Sequence, residues 1–288
     1  MIRLLAVLIL AGIYAPVFLD LVRIWQRDTY AAHGMFVPLF SALLLWMDRA
    51  ELRAAAGRGH PAGLIVILAG LGVLGLGRWG GSILLQGGSV AITAAGMVLW
   101  AFGPRCLRRA AFPVGFLVLM VPLPRAVVNA VTLDLQRFAG AFASLALWAF
   151  GIPFYRSGLL IELPTITLEV AEVCNGLRFL TALLVLTMAF AQVSLPTVPR
   201  KVVLVLSAIP IAILANAARV AIIAVGVHYV GPELASGTIH HTIGKAVWAF
   251  TLIPLVALGL LLRRRGESRP AVHAAEGEKA SEPAPGLR

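Results

Sequence analysis

Long uncharged apolar runs recur along this chain, and they constrain its fold more than any other feature. Only 13% of the 288 residues are charged and 60% are hydrophobic, whereas soluble domains carry about a quarter charged residues. Several runs approach the roughly 20 residues that a helix needs to cross a bilayer. Backbone polar groups in lipid must be satisfied within helices or a closed barrel. The sequence therefore predicts an all-α polytopic membrane protein.

Hydropathy predicts about eight transmembrane helices. They cover residues 4–19, 34–46, 62–76, 88–102, 110–121, 177–193, 202–230 and 243–262. The first run resembles a secretory signal peptide. It lacks a small-x-small cleavage site before Asp20 and further spans follow it, so we interpret it as a retained helix. The third span is rich in glycine, which predicts close helix packing.

The net charge of +11 comes from basic residues that cluster in short loops between the apolar runs. The clusters are Arg49, Arg53 and Arg58; Arg105, Arg108 and Arg109; Arg200 and Lys201; and Arg263, Arg264 and Arg265. Because Lys and Arg accumulate in cytoplasmic loops, both termini are predicted to be cytoplasmic. Aromatic residues do not alternate with the basic ones, so nucleic acid is not an expected partner.

This topology requires residues 122–176 to begin and end on the outer side. Within them, residues 125–150 are helix-forming but interrupted by polar side chains, and we interpret them as a helix along the outer interface. The alternative is a further crossing, which would place Arg200, Lys201 and the terminal arginines outside. In residues 152–173, prolines and glycine disfavour helix. Alternation in 159–163 and 166–170 predicts short extended pieces or a hairpin.

Cys174 lies at the end of a polar run, just before an apolar span, and Cys106 is the other cysteine. A helix N-terminus carries partial positive charge and so favours a thiolate over a thiol. We expect Cys174 to begin the sixth span at its outer end, so that Arg178 at i+4 shares its helical face. Burial as a small apolar side chain is the alternative, and we assign that role to Cys106 among the cytoplasmic arginines.

Two further polar positions stand in apolar surroundings. Arg219 lies inside an apolar run, where a charged side chain costs on the order of 2.5 kcal/mol or more unless it faces a partner or a wet cavity. Asn216 precedes it by three residues on the same helical face. His240 and His241 begin the last span and offer an imidazole for proton transfer. The alternatives are an arginine that snorkels to the interface and an interfacial histidine pair.

The predicted topology places Cys174, Arg219 and His240 on the same outer side. A thiolate nucleophile, an imidazole base and an arginine that stabilises an oxyanion form a set for thiol acyl transfer. A transporter or polysaccharide-export component is the alternative, with Arg219 and His240 binding an anion and an incidental thiol. No His/Cys cluster has metal-ligand spacing, so neither a metal nor a cofactor is predicted.

At these residues the chain resembles the exosortase/archaeosortase family of multi-pass membrane cysteine transpeptidases. The matching elements are Cys174-Asn175-Gly176-Leu177-Arg178, Asn216-Ala217-Ala218-Arg219, His240 ahead of Gly244, Tyr30-Ala31-Ala32-His33-Gly34, Pro122-Leu123-Pro124 and Gln136. The resemblance extends over residues 20–262. Three features depart from the family pattern: Asn175 where serine is commoner, Lys245 where an aromatic is more usual, and His241 as an alternative to His240.

The resemblance implies a catalytic core at about 125–262 within a membrane domain of residues 1–265, followed by a cytoplasmic tail, 266–288, whose composition predicts disorder. It implies Cys174 as nucleophile, Arg219 for the oxyanion and His240 as general acid and base. Arg178, Glu172, Asn216 and His33 would support them. The expected location is a bacterial inner membrane, with the site facing the periplasm.

The substrates implied are exported, membrane-tethered proteins with a C-terminal sorting signal: a motif such as Pro-Glu-Pro, an apolar helix and a basic tail. Cleavage through a thioacyl intermediate would transfer the protein to an unknown acceptor. The partners expected are thus these proteins, the acceptor and membrane lipid.

Overall fold

The computed structural model describes residues 2–164, 166–170, 176–235 and 237–267. Nine helices and three short strands are present in these ranges. They are α1 (Ile2–Arg27), α2 (Phe36–Met47), α3 (Arg49–Ala55), α4 (Ala62–Trp79), α5 (Ile83–Phe116), α6 (Arg125–Ala149), β1 (Tyr155–Ser157), β2 (Leu160–Glu162), β3 (Thr167–Glu169), α7 (Leu177–Ser194), α8 (Val198–Tyr229) and α9 (Gly237–Glu267). Single 3₁₀ turns cover Ala32–Met35, Leu117–Met120 and Pro232–Ala235.

Six helical segments in the described ranges are long and apolar enough to cross a membrane: Ile2–Arg27, Ala62–Trp79, Ile83–Met120, Leu177–Ser194, Val198–Tyr229 and Gly237–Arg264. The chain is therefore a helical membrane protein, as predicted. The count of about eight crossings and the interfacial position of α6 stay predictions. The longest segment is broken at Gly103, whose backbone (φ 83°, ψ 177°) is not helical. This break falls between two of the spans predicted from hydropathy.

The two ends of the helix bundle differ in the residues and elements that they contain. At one end, which we call the basic end, Arg109 forms an ion pair of 2.7 Å with Glu51 of α3. Arg3 at the start of α1 lies 6.0 Å from the ring of Phe102. A cavity of about 560 Å³ opens there, lined in part by Arg108 and Lys201, and it contains none of the candidate site residues. The opposite end carries the three strands and the start of α7, and we call it the hairpin end.

A row of glycines spaced by seven residues packs α4 against α5. A Cβ on Gly63 would lie 2.3 Å from the backbone nitrogen of Trp100, and one on Gly70 would lie 2.2 Å from Oγ1 of Thr93. A Cβ on Gly77 would lie 2.8 Å from the backbone nitrogen of Gln86. Since glycine alone permits such close approach, the prediction of tight packing in the third span is confirmed at these positions.

The hairpin end is built on α6 and α8. The strands form one antiparallel sheet in the order β1-β2-β3, which confirms the predicted extended pieces; β1 was not predicted. Ile161 of β2 is 1% exposed and packs with Ala143 of α6 and Ala224 of α8 in one core cluster. Gln136 of α6 donates a hydrogen bond of 3.0 Å to the carbonyl of Val170. These contacts fix the chain that leads towards α7.

Candidate active site

Arg219 and His240 meet at the hairpin end, where α8 and α9 face each other. Nη2 of Arg219 lies 2.8 Å from Nε2 of His240, and the two residues are only 3% and 8% exposed. A guanidinium carries donors and no acceptor. Nε2 therefore accepts this hydrogen bond, which places the ring proton of a neutral imidazole on Nδ1. Arg219 is thus paired with His240 inside the bundle and is almost entirely buried.

Two neighbours confine the guanidinium of Arg219. Its Cζ atom lies 5.4 Å from the ring centroid of Phe179 on α7, within the range of a cation–π contact. On the α9 side stands Gly244, where a Cβ would lie 3.1 Å from Cζ. The absence of a side chain at Gly244 thus leaves room for Arg219 one helical turn after His240. This relation gives a physical reason for a glycine four residues after the histidine.

The start of α7 packs directly on α8. Gly176 caps α7 in the left-handed conformation (φ 76°), and a Cβ there would lie 2.7 Å from Cγ of Asn216. Both the backbone angle and the close approach favour glycine. Asn216 is 5% exposed and precedes Arg219 by one turn, so it connects the start of α7 to the Arg219–His240 pair.

This geometry corrects one sequence inference. The helix was expected to include Cys174, so that Arg178 would share its face at i+4. The structure begins α7 at Leu177, after Gly176 in a left-handed conformation that a continuous α-helix cannot contain. The helical i, i+4 relation between Cys174 and Arg178 therefore does not hold. Cys174 and Glu172 themselves lie outside the described residues.

A cavity of about 580 Å³ opens beside the pair. Its lining includes Arg178 and Phe179 of α7, Arg219 of α8, and Thr242, Gly244 and Lys245 of α9. Deeper between the same three helices, next to Leu183, Trp248 and Thr251, a cavity of only about 10 Å³ is accessible to the centre of a water molecule, close to the least that holds one water. The site is therefore open at the hairpin end and nearly closed towards the middle of the bundle.

Four of the candidate residues come together here: Arg178 and Arg219 on the cavity, with Asn216 and His240 packed against them. His33 is placed elsewhere in the fold. It lies in the 3₁₀ turn before α2 and does not line this cavity. Burial lowers the pKa of its imidazole, and hydrogen bonds with the backbone of Leu119 and Tyr30 oppose that shift. The hydrogen bond with the backbone of Leu119 links the turn that contains His33 to the turn Leu117–Met120. The supporting role of His33 at the site stays a prediction. The side chain of His241 lies outside the described part of the chain.

Sequence reasoning missed Phe179 and gave Lys245 no role. Phe179 lies between two cations, with Cζ of Arg178 5.3 Å and Cζ of Arg219 5.4 Å from its ring centroid. In an apolar span a phenylalanine carries no signal of its own. Only its position next to Arg178 could have drawn attention to it. Lys245 was visible as a departure from the family pattern, and the structure shows that it lines the cavity.

The model of a family described as transmembrane exosortase matches residues 25–266, a range that contains α7, α8 and all of α9 except Glu267. No curated protein and no solved structure gave a significant match. The matched range also contains Cys174, Arg219 and His240.

Proposed function

Because the chain belongs to the transmembrane exosortase family, we propose that it is a membrane-embedded cysteine transpeptidase that cleaves C-terminal sorting signals of exported proteins. The observation that carries this proposal is the contact of 2.8 Å between Arg219, which lines the cavity, and His240, both of which are buried. It joins an oxyanion-stabilising group to a proton-transfer group, which are two of the three parts that thiol acyl transfer requires.

The third part is Cys174, which we propose as the nucleophile. It precedes Gly176 by two residues in the sequence, and Gly176 packs against Asn216, one turn before Arg219. This short sequence separation supports delivery of the Cys174 thiol to the cavity that Arg219 lines.

The proposed reaction begins when the sulfur of Cys174 attacks the scissile carbonyl of the bound substrate and the thiol proton passes to Nε2 of His240. Arg219 stabilises the oxyanion that forms. As the C–N bond breaks, protonated His240 gives its proton to the leaving amine, and a thioester remains on Cys174. An acceptor nucleophile then attacks the thioester, His240 takes the acceptor's proton, and the C–S bond breaks to regenerate the thiolate.

The starting geometry implies that Arg219 changes partners during this cycle. Before substrate binds, Nη2 of Arg219 donates a hydrogen bond to Nε2 of His240. When a carbonyl oxygen gains negative charge, the guanidinium has a stronger acceptor, and Nε2 of His240 becomes available for proton transfer. Asn216, Arg178 and Glu172 are proposed to orient this group.

The length of α8 supports a site at the membrane surface. The helix has 32 residues and is thus about 48 Å long, which exceeds a hydrocarbon core of about 30 Å. Arg219 lies roughly 32 Å from the first residue of α8 at 1.5 Å per residue. If the basic end faces the cytoplasm, then Arg219 lies where α8 leaves the lipid, facing the periplasm of a bacterial inner membrane. Substrate helices would enter laterally between the helices.

A transporter or polysaccharide-export component remains the competing function, because buried charges and cationic cavities also occur in transporters. The nearly closed space beneath the cavity, about 10 Å³, favours an enclosed reaction site over a passage. Thiol labelling separates the two functions. A catalytic Cys174 thiolate should react with a membrane-impermeant alkylating reagent at mildly acidic pH, whereas an incidental buried thiol should not.

The direct test uses a tagged reporter that ends in Pro-Glu-Pro, an apolar helix and a basic tail. We expect Cys174→Ala to abolish processing at unchanged membrane abundance. Cys106→Ala is the matched control, since Cys106 is buried in α5 and belongs to no part of the site. Normal processing by Cys174→Ala would contradict the proposed mechanism.

A further inference from the structure

We propose that Lys245, together with Arg178, forms a specificity subsite for a carboxylate in the sorting motif of the substrate. This inference rests on the proposed function and adds a recognition site to it. Three cationic side chains line the cavity of about 580 Å³: Arg178, Arg219 and Lys245. No carboxylate is among the described residues that line it. Such a cavity attracts an anion, because like charges around one opening raise the local positive potential.

The three cations divide between two tasks. Arg219 is buried and contacts His240, so it belongs to the bond that is cut. Arg178 is only partly buried and Lys245 is exposed, which leaves both able to meet a group that enters from solvent. Both also lie at the hairpin-end limit of apolar helical stretches, since Arg178 is the second residue of α7. An anion bound between them would lie beside the scissile carbonyl.

The sequence of α9 indicates which part of a substrate helix would lie level with Lys245. No charged residue occurs from Ala246 to Leu262, and Arg263 and Arg264 follow. The uncharged stretch is about 25 Å long at 1.5 Å per residue. The expected sorting signal has the same order: a motif, an apolar helix and a basic tail. When such a helix lies beside α9 in the membrane, its basic tail reaches the level of Arg263 and its motif reaches the level of Lys245.

The positive charge of Lys245 and Arg178 favours a carboxylate of the substrate as the group bound in the subsite. The acidic residue of a Pro-Glu-Pro-like motif lies next to its apolar helix and close to the scissile bond, so its carboxylate falls within the cavity. Lysine provides a point charge on a flexible stem, and arginine provides a planar fork that suits a carboxylate. The phosphate of a lipid headgroup is also an anion at this depth, and it is a distinct outcome of the test below.

The test measures kcat/KM for reporters with Pro-Glu-Pro, Pro-Gln-Pro and Pro-Lys-Pro motifs in vesicles of neutral lipid. Each reporter is processed by the wild-type protein, by Lys245→Gln and by Lys245→Glu. An exposed ion pair contributes roughly 0.2–1 kcal/mol. We therefore expect Lys245→Gln to lower kcat/KM by a factor between about 1.4 and 5 for the Glu reporter and leave the Gln reporter unchanged. Lys245→Glu should reverse the preference, so that the Lys reporter is processed better than the Glu reporter. Lys201→Gln, a lysine substitution at the basic end, should alter none of these ratios.

A binding measurement separates this inference from the proposed function. The Cys174→Ala protein should bind the Glu reporter more tightly than the Gln reporter, and added Lys245→Gln should remove the difference. If binding shows this pattern but wild type processes nothing, the proposed function fails and the subsite stands. If Lys245→Glu affects all three reporters equally, the subsite is contradicted. If the loss of activity in the Lys245 variants depends on added anionic lipid rather than on the motif, the subsite for a substrate carboxylate is also contradicted. That result would identify a lipid headgroup as the occupant.

Discussion

Nη2 of Arg219 and Nε2 of His240 lie 2.8 Å apart across the junction of α8 and α9. The arginine donates and the neutral imidazole accepts, so each side chain fixes the other before a substrate arrives. Gly244 leaves room for the guanidinium, and Phe179 confines it from α7. The pair is separated by 21 residues of sequence, and only the approach of α8 to α9 brings it together.

Replacing Arg219 by lysine keeps the charge but removes the planar fork of donors. Loss of an oxyanion-stabilising donor costs about 10²–10³ in rate, and we expect a decrease of that order in reporter processing. Membrane abundance should not fall, because one cation replaces another. Arg137→Lys on the exposed face of α6 is the control and should retain wild-type activity. Full activity of Arg219→Lys would argue against a role at the oxyanion.

The choice between the two adjacent histidines is tested by single glutamine substitutions. His240→Gln removes the group that contacts Arg219, and we expect processing to fall by about 10²–10⁴, the usual contribution of a positioned acid–base group. His241→Gln should retain most activity. The opposite pattern would move the proton-transfer role to His241. Initial rates of reporter cleavage, normalised to the amount of protein in the membrane, provide the measurement.

Gly176→Ala tests the connection between α7 and Asn216. The new Cβ would lie 2.7 Å from Cγ of Asn216 at φ 76°, which combines a steric conflict with the left-handed penalty of about 1–2 kcal/mol for an L-residue. We expect processing to fall tenfold or more. Gly158→Ala is the matched control, since Gly158 has φ 61° but nothing within 4 Å of a Cβ. Equal loss in both variants would attribute the effect to backbone strain alone.

Gly244→Ala tests the space that Arg219 needs. A Cβ at Gly244 would lie 3.1 Å from Cζ and Nη2 of Arg219, so the guanidinium must shift. We expect weaker processing at unchanged or slightly raised thermal stability, because alanine is the better helix former. Gly72→Ala in α4, where a Cβ meets nothing within 4 Å, should raise stability without loss of activity. Wild-type processing by Gly244→Ala would show that this contact does not position Arg219.

The half-buried His33 gives the fold a predictable response to acid. Burial lowers its pKa in the folded protein from about 6.5 in an unfolded chain. The unfolded state therefore binds protons first, and stability decreases as the pH falls below about 6.5. His33→Gln should weaken this decrease, as measured by thermal unfolding in detergent between pH 7 and pH 5. An unchanged pH dependence in the variant would contradict this assignment.

Much of the architecture could be predicted, because apolar runs and alternating patterns have a direct physical relation to helices and strands. Apolar runs predicted the helices, and alternation in 159–163 and 166–170 predicted the strands that became β2 and β3. The break at Gly103 lies between two predicted spans. By contrast, α3 is a short polar helix without an apolar run, and its position depends on the contact between Glu51 and Arg109.

The residues of the site likewise divide into those that the sequence predicted and those that it did not. Arg219, Asn216 and His240 were identifiable because polar groups in an apolar environment are costly, and the structure brings all three together. The beginning of α7 at Leu177 agrees with the predicted span 177–193. The contribution of Phe179 could not be predicted, because it depends on a tertiary contact with Arg219. Cys174 stays a prediction, since it lies outside the described residues.

The most direct test of the central claim is interception of the thioester on Cys174 with hydroxylamine. Wild-type protein should be incubated with the tagged reporter in membranes, and the new C-terminus of the released fragment should be identified by mass spectrometry. We predict a C-terminal hydroxamate whose yield rises with hydroxylamine concentration, and no such product from Cys174→Ala. Release of a free carboxylate alone at saturating hydroxylamine, or a hydroxamate from the Cys174→Ala protein, would contradict an acyl intermediate on Cys174.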